Sequence, residues 1–270
     1  MAGISSLSLA TVLDGLEPHL SGAQLSLAED LFGVLAILDD NAGLRRALTD
    51  PSRTGEDKAA LVDQLVAGRV SPEATSLVRS LVMERWASVR DLGDALEQVA
   101  ATVVIAVAEQ GDGVEGLDRL ENELFSFIRV VDTSHALQRA LSDAQATDEA
   151  KIELALKLVP EAGPAGSLLI TQAVRAPRGL RPSALIERFL DLVAARQQRW
   201  IAQVSVTRPL LPNQLERLQA GLNGLYGRDL KINVTVDPSL IGGVRVSVGD
   251  EMVDSTVVTR LSELRRKLAG

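Results

Sequence analysis

Residues 27–66 and 120–159 align without a gap at an offset of 93 positions, and fifteen of the forty pairs are identical. Average composition gives about three by chance. The identities include Leu31/Leu124, Phe32/Phe125, Leu44/Leu137, Leu48/Leu141, Asp50/Asp143 and Lys58/Lys151. A chain that carries one module twice must fold it twice, and each copy must bury its own apolar stripe or share it with its neighbour. The expected organisation is a first copy over residues 1–98, a second over 99–198, and a different module over 199–270.

Each copy reads as helices. Leu27, Leu31, Val34, Leu35 and Leu38 recur at helical spacing, and so do Leu120, Leu124, Phe127, Ile128 and Val131. Thr54 precedes the acidic turn Glu56-Asp57, and Thr147 repeats it before Asp148-Glu149, which marks two helix starts. Pro72 fits the first turn of another helix. With 46% apolar and only 3% aromatic residues, the core must be aliphatic, and helices this short gain their stability by packing stripes together. The fold class expected for residues 1–198 is two small helical bundles in tandem.

From Trp200 the period changes. Trp200, Ala202, Val204 and Val206 alternate as one face of a strand. Leu211, Leu215, Leu218, Leu222 and Leu225 follow helical spacing between Pro212 and Gly227. Leu230, Ile232, Val234 and Val236 alternate again, as do Val244, Val246 and Val248. Gly249-Asp250 suits a two-residue hairpin turn leading to a short strand at 251–253. Val257, Leu261, Leu264 and Leu268 predict a closing helix, with Arg265, Arg266 and Lys267 at its negative end. The expected architecture is mainly α, with a small α/β domain of order βαββα at the C-terminus.

Little in the chain can do chemistry. There is no cysteine, and the two histidines, His19 and His135, stand far apart, which leaves a metal site or a Ser-His-Asp triad poorly supplied. No Gly-x-Ser-x-Gly, P-loop, His-Glu-x-x-His or dinucleotide fingerprint occurs. Gly242-Gly243 runs into a strand rather than a helix N-terminus, unlike a phosphate loop. Asp237, Asp250, Glu251 and Asp254 lack EF-hand spacing. Asp250 reads as a turn residue and Asp254 as a helix cap. Arg175, Arg178 and Arg181 flank a turn set by Pro177 and Pro182 and are expected to be solvated. No catalytic, cofactor or metal residue is expected. A net charge of −8 argues against a nucleic-acid surface. The longest apolar run, Val99 to Ala108, is too short to span a bilayer, and the N-terminus lacks the basic leader of a signal peptide.

The C-terminal stretch "VDPSLIGGVRVSVGDEMVDSTVVTRLSELRRKL" resembles the signature of the delta subunit of F-type ATP synthases, a family related to the mitochondrial oligomycin-sensitivity-conferring subunit. The match rests on Asp237, Pro238, Ile241, Gly242 and Gly243, then Gly249, Asp250 and Asp254, then Leu261, Leu264 and Leu268. Ser255 and Thr256 depart mildly from the family pattern. Residues 99–198 are similar to the family's helical domain, with "APRGL" around Arg178 resembling its Asn-Gly-Arg-Leu turn. Residues 1–98 are an additional copy.

The resemblance implies a stator subunit without chemistry of its own. In the family, the helical domain grips N-terminal segments of the alpha subunits and the C-terminal domain holds the b subunit. A helix-in-groove mode applies to the first contact. The matching groove residues are Val103, Val104, Val107, Ile170 and Val174, although the family's aromatic Tyr-Ala-x-Ala-Leu-Phe pattern is absent at Val99–Val104. The b subunit is expected on a separate chain and the location at the cytoplasmic face of the bacterial plasma membrane. The other reading is a free helical-repeat adaptor for peptides. The acidity lies in residues 1–110, net −8, against −2 for 111–200 and +2 for 201–270. A basic, salt-sensitive partner surface would complement it.

Overall fold

The computed structural model describes residues 3–66, 68–198, 200–226, 230–237, 240 and 243–248, together with the backbone of 251–254. Contacts divide the chain into two compact units, residues 1–193 and 194–270, with the divide inside the last helix of the first.

The first unit is helical: α1 (Gly3–Asp14), α2 (Glu17–Leu20), α3 (Leu25–Asp40), α4 (Ala42–Thr49), α5 (Gly55–Val66), α6 (Pro72–Met83), α7 (Val89–Asp132), α8 (His135–Ser142), α9 (Asp148–Leu158), α10 (Pro164–Arg175) and α11 (Pro182–Gln198). The predicted starts are present. Thr54 Oγ1 accepts from Asp57 N at 3.1 Å, Thr147 Oγ1 from Ala150 N at 3.3 Å and Ser71 Oγ from Ala74 N at 3.3 Å. Each bond satisfies an N–H that has no partner inside its helix. The α3 stripe is buried as read, with Leu31 and Leu35 at 0% exposure, and its counterparts Leu124 and Phe127 are likewise at 0%.

The boundary expected at 98/99 falls inside α7. That helix kinks at Asp112 and Gly113, where Gly113 has φ +60°, a conformation that favours glycine. Its two halves are thus 89–111 and 114–132. At the repeat offset, α1 corresponds to residues 96–107 and α11 to residues 89–105. The first half of α7 therefore answers both to the last helix of the first copy and to the first helix of the second.

Helix α1 inverts its hydrophobic pattern. Ser5 and Ser8 are buried, while Ile4 and Leu7 are 58% and 72% exposed. Ser5 Oγ donates to Asp91 Oδ2 at 2.6 Å and accepts from Ala87 N at 2.8 Å, and Ser8 Oγ donates to Arg85 O at 2.7 Å. These bonds tie α1 to the α6–α7 connection and offset the desolvation of the serines.

The second unit holds β1 (Ile201–Val206), α12 (Pro212–Tyr226), β2 (Lys231–Val236), β3 (Val244–Val248) and β4 (Glu251–Asp254). The sheet order is β2-β1-β3-β4, with β1 and β2 parallel and the other pairs antiparallel. Ala202, Val204, Val206, Leu222, Leu230, Val246 and Val248 form its core. The α12 stripe is buried only in part: Leu222 is 7% exposed, but Leu211 and Leu225 are 62% and 67% exposed, and Val236 on β2 is 44% exposed. The predicted closing helix lies outside the described residues.

Candidate functional site

Of the C-terminal signature, Pro238, Ile241, Gly242, Gly249, Asp250, Leu261, Leu264 and Leu268 lie outside the described residues. Asp237 follows β2 directly, and its N–H donates to Val206 O at 2.8 Å. Gly243 has φ +91° immediately before β3, a backbone that a side chain would strain. Asp254 is the last residue of β4, paired in register with Arg245. This part of the motif therefore shapes the edges of the sheet.

The helical unit places the candidate groove residues between α7 and α10, which pack together. Val103, Val104 and Ile170 are at 0% exposure and Val174 at 2%, while Val107 is half-buried. Helix α3 runs along this pair. Leu25, at its start, lines a cavity with Val107, Ala108 and Pro164. Asp39, near its end, joins Asp94 through Arg178. It is thus antiparallel to the first half of α7 and parallel to α10. The first copy lies directly against the face that the sequence singled out on the second.

Arg178 corrects the sequence reading, in which it was solvated. Its side chain is 10% exposed, and its backbone sits at φ +50°. Nε lies 3.3 Å from Asp39 Oδ2 on α3, and Nη2 lies 3.2 Å from Asp94 Oδ1 on α7. Arg90 reinforces the arrangement, with Nε 3.5 Å from Asp94 Oδ2 and Nη2 donating to Arg178 O at 3.1 Å. Arg45 adds a contact of 3.7 Å to Asp39. Gly93 leaves the space for the guanidinium, because a Cβ there would collide with Cζ and both terminal nitrogens of Arg178. Arg175 and Arg181 are exposed, as read.

Glu97 completes the cluster one turn along α7. It is 5% exposed, and its Oε1 has no hydrogen-bond partner among the described residues; the same is true of Arg178 Nη1. Burial pushes the Glu97 carboxyl up to about 7. Arg178 opposes the rise, Asp94 and Asp39 add to it, and Arg188 on α11 opposes it. Burial also raises Asp39, against the pull of Arg178 and Arg45. Three carboxyls from α3 and α7 thus converge on one guanidinium from the α10–α11 loop. Asp39 and Asp94 lacked any local signal, because their partner stands 139 and 84 positions away.

This arrangement can fasten helices together, but it offers no nucleophile paired with a base. Among the described residues no group of three or more His, Cys, Asp or Glu could hold a metal ion. No described helix is long and apolar enough to cross a membrane.

The family model described as "ATP synthase delta (OSCP) subunit" matches residues 100–268, so it takes in the second copy and the sheet unit. The chain is 63% identical to ATP synthase subunit delta of Renibacterium salmoninarum and 59% identical to that of Pseudarthrobacter chlorophenolicus, with all of both chains covered in each case. It is 46% identical to that of Kocuria rhizophila over 93% of each chain. A solved chain of the Toxoplasma gondii mitochondrial ATP synthase hexamer aligns over 63% of this chain and 95% of its own, at 16% identity and a TM-score of 0.35, too low to speak for the fold. The first copy, outside the family model, is matched along its length in the bacterial relatives. With the family model spanning well over half of the residues, the chain belongs to the ATP synthase delta (OSCP) subunit family.

Proposed function

We propose that this chain is a peripheral-stalk subunit of a bacterial F-type ATP synthase. It joins the top of the catalytic head to the stalk and resists rotation of the head while the central rotor turns. The helical unit holds N-terminal segments of the alpha subunits, and the sheet unit holds the b subunit, supplied on a separate chain. The subunit itself performs no chemistry and works at the cytoplasmic face of the plasma membrane as a peripheral part of the complex. The observation that carries this reading is family membership across residues 100–268, which includes parts of both units. The chain is organised as a first copy over 1–98, a second over 99–198 and an α/β domain over 199–270, with α7 common to both copies.

The test is titration of the isolated catalytic head with the full chain, alongside cross-linking of the sheet unit to the b subunit. Saturable binding at one chain per head, together with cross-links to b, is expected. A full chain that binds neither sinks the stator reading and leaves the peptide-adaptor reading in its place. For a dissection, the cut belongs after α11, which ends at Gln198, because a cut at 98 severs α7 and one at 193 severs α11.

A further inference from the structure

A cavity of about 330 Å³ lies between the first half of α7 and α11. Glu97 and Gln98 line it from α7, and Leu185, Arg188, Phe189 and Asp191 line it from α11. The spacing i, i+3, i+4 puts Leu185, Arg188 and Phe189 on one face of their helix. Leu185 and Phe189 are each at 1% exposure and give the cavity an apolar floor. Arg188 and Asp191 are exposed at its rim.

Glu97 is the residue on these walls whose chemistry is unfinished. It is 5% exposed, and its Oε1 has no hydrogen-bond partner among the described residues. The charged groups that face it are Asp39 from α3, Asp94 from its own helix, Arg178 from the α10–α11 loop and Arg188 from α11. Asp191 stands on the same cavity wall. A carboxyl on an apolar floor stays protonated unless a cation comes within reach of its charged form. Arg178 is already committed: Nε to Asp39, Nη2 to Asp94, and the guanidinium seated in the space that Gly93 leaves. Arg188 forms no ion pair among the described residues, and the cavity gives its guanidinium room to fold inward. With the Glu97 carboxyl pushed up to about 7 by burial, the demand for that cation arises near neutral pH.

We infer that Glu97 and Arg188 form a proton-operated latch between α7 and α11: with Glu97 protonated the cavity stands open, and with Glu97 ionised Arg188 folds across it and pairs with the carboxylate. The pair forms against an apolar floor and away from bulk water, where a charge-assisted hydrogen bond is strong. Helix α11 runs on to Gln198 and β1 begins at Ile201, so the latch acts on the helix that leads into the sheet unit. The latch does not depend on the stator reading. Under that reading, it makes the seating of α11 in a stalk subunit respond to the proton concentration around the head.

The test is NMR on the full chain with ¹³C-labelled glutamate and ¹⁵N-labelled arginine, titrated from about pH 5.5 to 8.5. Glu97→Gln and Arg188→Gln identify the two signals by their loss. Glutamine keeps the shape of Glu97, and Arg188 is exposed, so both variants should fold. In the wild type the Glu97 carboxyl and the Arg188 Nε–H should titrate with one midpoint. In Glu97→Gln the Arg188 signal should no longer follow pH, and in Arg188→Gln the Glu97 midpoint should rise by about one unit. Asp191→Asn removes the other carboxylate on this wall of α11 and should leave the coupled titration in place. An Arg188 signal indifferent to pH, a Glu97 midpoint unmoved by Arg188→Gln, a coupling lost in Asp191→Asn, or an Arg178 signal that follows Glu97 in place of Arg188 overturns the latch. None of these readings involves the catalytic head, so failure of the latch and failure of the stator reading are told apart.

Discussion

Glu97→Gln gives a direct test of the Arg178 cluster. The glutamate's carboxyl is raised from 4.5 to about 7 in the folded chain. Between those values the native state holds a proton that the unfolded chain has released, so stability falls as pH rises. The contribution is fully present below about 4.5, drops through the window, and is gone above about 7. At about 1.4 kcal/mol per pH unit, the whole span amounts to roughly 3 kcal/mol, an upper figure because the cluster can relax around the charge. Glutamine keeps the shape and cannot ionise. The variant should match wild type within about 1 kcal/mol at pH 5 and exceed it by about 2–3 kcal/mol at pH 8. Urea unfolding followed by tryptophan fluorescence measures the difference. Trp86 is buried in the helical unit, and its indole N–H donates to Leu81 O at 2.8 Å. Replacing Trp200, the only other tryptophan, with phenylalanine in both proteins confines the signal to that unit. The difference between the two curves cancels every other titration. Parallel curves from pH 5 to 8 would refute the argument, and a wild type more stable than the variant at pH 8 would reverse its sign.

Three further outcomes follow from the same geometry. Arg178→Met should cost about 2–4 kcal/mol by leaving Asp39 and Asp94 with only their longer contacts to Arg45 and Arg90, read as a lowered urea midpoint at pH 7; a loss under ~1 kcal/mol would show the pairs to be dispensable. Gly93→Ala should destabilise by about 1–3 kcal/mol despite the better helix propensity, because the added methyl displaces the guanidinium; a gain in thermal midpoint would contradict the packing described. Ser5→Ala should cost about 1–3 kcal/mol by stranding Ala87 N and Asp91, and hydrogen exchange should show α1 opening before α3; unchanged protection of α1 would remove its role as a fastener.

The repeat, the helical stripes of α3 and α7, the threonine and serine caps and the alternating strands were legible in the sequence because each is a local pattern. A stripe such as Leu27–Leu38 needs only the helical period, and a cap such as Thr147 needs only three residues. Those signals carried the fold class and the family. Other features ran against local rules or lay beyond their reach. Ser5 and Ser8 are inside while Ile4 and Leu7 face out, because hydrogen bonds to the α6–α7 connection outweigh hydropathy there. Arg178 looked solvated because neighbouring prolines mark a turn, yet a turn residue can project inward when distant carboxylates await it. Asp39, Asp94 and Glu97 come together only once α3 lies antiparallel on α7. Local periodicity decides which face of a helix is apolar. Which helix covers that face, and which charges are trapped between them, is decided by packing between residues from about fifty to well over a hundred positions apart, and only the tertiary structure supplies it.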